Sequence, residues 1–240
     1  MKKPLLFLAV ILFLLSACKK EKDQYLDAVT ELEQSEYRGQ ELSDKRITEI
    51  KSAIKSYQEE VDKKVKANEQ LGIYYKMLAV RYMDGRMYEL AYKSLKEAIE
   101  IYPENPILFY LSGVSTARVA KSRIEAAPRQ EWLDRSEAFY IRALELDPIY
   151  IQALYGLAVL LVFELNRPPA AEPYLLRILA REKQNTDAMF LLANVYYRSG
   201  RLEEALEVYG NIIETTKIKE RARQAAENKK KIEEELHGGN

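Results

Sequence analysis

The chain has one cysteine, one histidine and one tryptophan among its 240 residues. A single Cys18 rules out an intrachain disulfide. His237 stands near the C-terminus, so neither a Ser-His-Asp or Cys-His arrangement nor a histidine-based metal cluster has a usable imidazole. Nine glycines are scattered, mostly at turns or helix crossings, and none builds a phosphate-cradling loop. Neighbouring acids such as Glu203 and Glu204, or Glu233, Glu234 and Glu235, lie in charged stretches whose ordinary role is to be solvated. No enzyme activity, metal or dissociable cofactor is therefore expected. Charge of one sign is missing too, with 37 basic residues against 37 acidic ones. That balance predicts no affinity for nucleic acid.

The start of the chain is set apart. Lys2 and Lys3 precede an apolar run over residues 5–15, followed by Leu15, Ser16, Ala17 and Cys18. The run is shorter than the roughly 20 apolar residues of a membrane-spanning helix, and the pattern is that of a secretory signal. Leu-Ser-Ala-Cys resembles the bacterial lipoprotein signal, as opposed to an ordinary signal peptide or an uncleaved anchor. The resemblance implies removal of residues 1–17, a diacylglycerol thioether on Cys18 and an acyl chain such as palmitate on its amine. Two or more buried chains give lasting membrane attachment. The implied location is the bacterial cell envelope, lipid-anchored and periplasm-facing. The outer membrane is preferred, because Lys19 stands where an inner-membrane retention signal places aspartate in some bacteria. The mature chain would carry 35 basic and 37 acidic residues.

Residues 18–42 read as the lipidated N-terminus and a charged tether, in which Leu26, Val29 and Leu32 form either a short helix or part of a flexible spacer. Ser43 is positioned as an N-cap for a helix over residues 43–68. Ile47, Ile50, Ile54, Tyr57, Val61 and Val65 recur there at steps of three and four. So narrow a stripe serves either to cover the first hydrophobic unit that follows or as a coiled-coil seam. The capping role is favoured, since the stripe spans under four heptads.

Residues 75–103 then read as two short amphipathic helices joined at Asp84-Gly85. Tyr75, Leu78, Ala79 and Tyr82 share one face, Ala91, Leu95 and Ala98 the other, and Pro103 closes the pair. Small residues at the crossing with larger ones at the ends suit a tight antiparallel helix pair. The order resembles the tetratricopeptide repeat (TPR), whose period is about 34 residues. It recurs at Met189, Leu192, Ala193, Tyr196, Gly200, Ala205, Tyr209 and Ile212. A third copy has Leu154, Leu157, Ala158 and Leu161, with a second helix that uses either Ala170 and Tyr174 or Ala171, Leu175 and Ile178. That one-residue ambiguity sits beside the Pro168-Pro169 turn, where an insertion is easily absorbed.

A further copy keeps Phe109 and Gly113, then Ser136, Tyr140, Ala143 and Pro148. Gly113 to Ser136 spans 23 positions, whereas Ala79 to Ala91 spans 12. The surplus is expected to lengthen both helices of that hairpin by about one and a half turns. Asn105-Pro106 and Asp147-Pro148 each look like an N-cap followed by a first-turn proline. The resemblance implies an all-α fold, a right-handed α-α superhelix of about four helix-turn-helix repeats. These cover residues 72–104, 105–148, 149–184 and 185–217 within a domain at 69–216. Residues 217–240 supply a polar capping helix and a frayed tail.

In such arrays the concave face is lined by first helices. Carried onto this chain, that face holds Lys76, Val80 and Met83, then Tyr110, Val114 and Arg118. Tyr155, Val159, Val162 and Phe163 follow, and then Asp187, Phe190, Asn194, Tyr197 and Arg198. The family's carboxylate clamp for peptide C-termini needs several Lys, Asn and Arg here, and Lys76, Asn194 and Arg198 do not make that combination. An aromatic and aliphatic lining serves either as a groove for a peptide or as a surface filled by the chain's own N-terminal helix or its 120–133 extension. The groove is the favoured reading. Trp132 is either a partner anchor or packing within its own hairpin. The expected function is a membrane-anchored interaction scaffold that holds another envelope protein or peptide segment. The alternative is a ligand-binding accessory of a solute transport system. The oligomeric state is not legible.

Overall fold

The computed structural model describes residues 44–238. The signal segment, Cys18, the tether at 18–42, Ser43 and the last two residues fall outside that range. The chain divides into two units, Met1–Val61 and Asp62–Asn240. In the first, the described residues 44–61 are helical, and Ile50, Ile54, Tyr57 and Val61 are exposed.

No break separates a capping helix from the first repeat near position 68. One helix, α1 (Asp44–Asp84), runs through it. Gly72 does not interrupt the helix, because its missing side chain admits another ring. A Cβ there would lie 2.6 Å from Tyr102 Cε2, and the Tyr102 hydroxyl donates to the Glu69 carbonyl at 2.8 Å. After α1 come α2 (Tyr88–Ile101), α3 (Pro106–Lys121), α4 (Ala126–Leu146) and α5 (Ile151–Val159). A π-helical turn (Leu160–Glu164) extends α5, and α6 (Pro168–Arg181), α7 (Thr186–Arg198), α8 (Leu202–Thr215) and α9 (Lys219–Gly238) follow. Among the described residues there is no strand. The second unit is an α-α solenoid of stacked helix pairs.

Side-chain caps set the starts of α3 and α7. Asn105 accepts from the Ile107 amide at 3.0 Å ahead of Pro106, and Asn185 accepts from the Ala188 amide at 3.0 Å. Asp147 behaves differently from the expectation. Its amide closes the end of α4 on the Ala143 carbonyl, its carboxylate accepts from Ile149 in a turn, and α5 begins only at Ile151. The residue two places before each short second helix is left-handed: Arg86 (φ 58), Asn166 (φ 53) and Gly200 (φ 74). In the first repeat that strain falls on Arg86 and not on the neighbouring Gly85.

The core follows the repeat pattern. Ala79, Leu95, Ala98 and Leu108 form one buried cluster, and a longer one runs from Phe109 to Ile232. Each fully buried leucine, such as Leu154 or Leu157, contributes about 1.5–3 kcal/mol relative to exposure. In the third repeat Ala171, Leu175 and Ile178 are the buried set, while Ala170 is exposed. Ala158 to Ala171 spans 13 positions where Ala193 to Ala205 spans 12. The extra residue is absorbed in the π-turn, where the Leu165 amide reaches back five residues to the Leu160 carbonyl at 3.0 Å, not at the prolines.

The long hairpin is lengthened unequally. Its helices have 16 and 21 residues, against 13 and 14 in the last repeat. The second helix gains more because it finds a surface to pack on. Trp132 stands edge-on to Tyr92 of α2 at 5.4 Å, and Phe139 meets the same tyrosine at 5.8 Å. Trp132 thus packs across the preceding repeat, with the Arg135 guanidinium 4.9 Å above it.

Candidate functional site

The first helices α3, α5 and α7 converge on an open cleft of about 440 Å³. Tyr110, Val114 and Arg118 come from α3, and Tyr155 and Val159 from α5. Tyr140 of α4 forms the floor between Gly113 and Gly156, where a Cβ would lie 2.9 and 2.7 Å from its ring. Tyr110 packs against Tyr150 at 5.3 Å and Tyr140 at 6.2 Å, so the aromatic wall is braced. Burial pushes the phenol pKa of Tyr110, Tyr140 and Tyr155 above the ordinary value. These hydroxyls are therefore neutral donors at physiological pH.

Of the residues placed on the concave face by resemblance, Tyr110, Val114, Arg118, Tyr155, Val159 and Asp187 line this one cleft. Phe163 does not, and its 56% exposure points it elsewhere. In a regular helix Phe163 would follow Val159 by four residues on the same face. The π-turn adds one residue, and Glu164 takes that place. Glu164 was missed by sequence reasoning, although the 13-position spacing from Ala158 to Ala171 carried the signal.

Glu164 is the electrostatic centre of the cleft's edge. Its carboxylate receives Lys121 Nζ at 2.8 Å and an Arg129 guanidinium nitrogen at 2.7 Å, and only 10% of its side chain is exposed. Burial pushes its pKa up, but the two cations outweigh that and hold it below the ordinary carboxylate range. The long hairpin is thereby tied to the third repeat.

The last repeat's predicted groove residues make contacts within the chain. Phe190 lies edge-on to Tyr209 at 6.0 Å and beneath Arg221 of α9 at 5.6 Å. Arg221 also pairs with Asp187 at 2.6 Å, and the Tyr197 hydroxyl donates to Glu235 of α9 at 3.1 Å. Arg198 donates to the Val162 carbonyl and to Asn166, closing the end of the π-turn. Asn194 Oδ1 is buried without a hydrogen-bond partner. Lys76 and Met83, in the first repeat, are half-buried and do not line the cleft. The chain's contribution to its own concave face thus comes from α9 over the last repeat. Among the described residues no group of three His, Cys, Asp or Glu side chains is placed to hold a metal ion, and no helix is long and apolar enough to cross a membrane.

This stack of helix pairs has the fold of a TPR solenoid, and within it residues 160–213 match the tetratricopeptide repeat family. Solved structures share the fold. TTC0263, a thermophilic TPR protein of Thermus thermophilus, is 19% identical with a TM-score of 0.56, over 69% of this chain and 85% of that one. MamA (41-end) of Desulfovibrio magneticus RS-1 is 19% identical with a TM-score of 0.52, over 70% and 97%. YrrB, described as a TPR protein with an unusual peptide-binding site, is 24% identical with a TM-score of 0.51, over 64% and 73%. No curated protein matches the chain.

Proposed function

We propose that the chain is a membrane-tethered scaffold that grips a peptide segment of another bacterial envelope protein in the Tyr110–Tyr155 cleft. The observation that carries this reading is the cleft itself. Braced aromatic rings, a valine pair and neutral phenol donors form a concave, largely apolar surface on the first helices. A TPR fold is a protein-interaction framework, and the peptide-binding site attributed to YrrB is a precedent within the fold. Cys18 supplies the tether in this proposal, through its diacylglycerol and N-acyl chains, with the outer membrane as its place. A solute-transport accessory remains the second reading, because about 440 Å³ also falls in the range of small-molecule sites.

The test is photo-crosslinking in native membranes from a probe at Tyr155, with a control probe at Phe163 outside the cleft. A discrete protein captured at Tyr155 and not at Phe163 supports the scaffold. Capture of neither a protein nor a peptide at Tyr155 sinks it. The tether is tested separately: Cys18→Ala should abolish metabolic labelling by palmitate, and continued labelling would remove the lipid from the proposal.

A further inference from the structure

A second cleft adjoins the apolar one. It lies between the start of α2 and the end of α3, has a volume of about 760 Å³, and shares Arg118 and Lys121 with its neighbour. Its α3 wall exists because the hairpin is long. A first helix of 13 residues, the length of α7, would end at Arg118, and residues 119–123 continue the wall beyond that point.

The charges of this cleft do not balance. Arg86, Arg118, Lys121 and Arg123 line it together with a single acid, Glu89. Glu89 is already held by Arg123 at 2.8 Å, and Lys121 is held by Glu164 at 2.8 Å. Asp187, an acid of the adjoining cleft, is paired with Arg221. Arg86 and Arg118 make no ion pair among the described residues, and Arg123 Nε is buried with no acceptor. Every acid of the two clefts is thus engaged, while two guanidinium groups and one buried N–H lack a counterpart. Carboxylates are the planar acceptors that match guanidinium groups, and an uncompensated basic cleft attracts acidic partners.

We propose that the two clefts take one continuous segment of the partner. An aromatic or aliphatic side chain sits against Tyr110 and Tyr155, and acidic residues next to it in sequence lie on Arg118 and Arg86. This rests on the concave-face reading and adds the partner's chemistry: an acidic-apolar peptide, recognised by a cleft that the lengthened hairpin creates.

The experiment uses the full-length protein in detergent and two labelled peptides of equal length and equal tyrosine and leucine content. One carries glutamates at the remaining positions, the other lysines. Fluorescence anisotropy is expected to give at least about tenfold tighter binding of the acidic peptide, weakened by salt. Arg86→Glu with Arg118→Glu should invert the preference, and Arg86→Ala with Arg118→Ala should erase it. Melting curves establish that the variants are folded. Equal affinity for both peptides, no binding of the acidic one, or a preference unchanged in the folded variants would overturn the proposal. Crosslinking at Tyr155 separates the two ideas. A partner still captured by the double alanine variant as efficiently as by the wild type leaves the scaffold standing and removes the acidic recognition. Selective acidic-peptide binding without any native crosslink does the reverse.

Discussion

The ring of Tyr140 lies where a side chain on Gly156 would have to go. A Cβ on that glycine would stand 2.7 Å from Tyr140 Cε1 and 2.9 Å from Cζ. The glycine lets α5 approach the tyrosine that floors the cleft, and Gly113 does the same from α3 at 2.9 Å. Glycine in a helix normally costs about 0.5–1 kcal/mol against alanine, and here overpacking reverses the sign. Gly156→Ala is expected to lose about 1–3 kcal/mol in denaturant unfolding. Gly210→Ala in α8, where nothing lies within 4 Å, should gain up to about 1 kcal/mol. Equal effects from the two substitutions would refute this account.

The Glu164 ion triad makes stability depend on acid. The folded-state pKa lies below the unfolded one, so its contribution is present above the ordinary glutamate range. It is lost as pH falls through the depressed folded value. Glu164→Gln should lower stability by about 1–3 kcal/mol at neutral pH. It should also flatten the fall in melting temperature below the ordinary glutamate pKa. A wild-type profile with the same slope as the variant would show that the triad does not titrate as described.

Arg86 combines a left-handed backbone (φ 58) with a charge in the basic cleft. Arg86→Gly relieves the first and removes the second. Thermal unfolding should show a gain of up to about 1 kcal/mol, while the acidic peptide binds more weakly. Weaker binding without that gain would mean the turn relaxes at no cost in the wild type.

Deleting Phe163 removes the extra residue of the third repeat and should convert the π-turn into regular helix. Glu164 would then follow Val159 by four residues and keep its place at the cleft edge. Hydrogen exchange should show the third-repeat amides at least as protected as before, and the acid profile should be retained. Loss of protection across α5 and α6 would show that the wider turn is needed for packing.

The repeat slots were legible because solenoid packing is local. Ala79, Leu95 and Ala98 cluster within one hairpin, and Ala193, Ala205 and Ile212 belong to the longer cluster from another, so spacing along the chain is nearly a contact list. Tyr110, Arg118, Tyr155 and Val159 followed from the same register. The 13-position interval from Ala158 to Ala171 left two helix faces open, because an extra residue can be housed in a turn or in the helix itself. Only the hydrogen bonds around Leu160 decide for the helix, and that choice puts Glu164 in the cleft and turns Phe163 out. The contacts of Trp132 with Tyr92, of Glu164 with Lys121 and Arg129, and of α9 with Phe190 and Tyr197 join residues far apart in the chain. The sequence by itself therefore determined the helix pairs and their buried slots, since a period of three and four needs nothing beyond its own hairpin. Which side chains are drawn out of the groove, and where positive charge is left unmatched, depends on distances between elements that no local pattern encodes, and was decided by the tertiary structure.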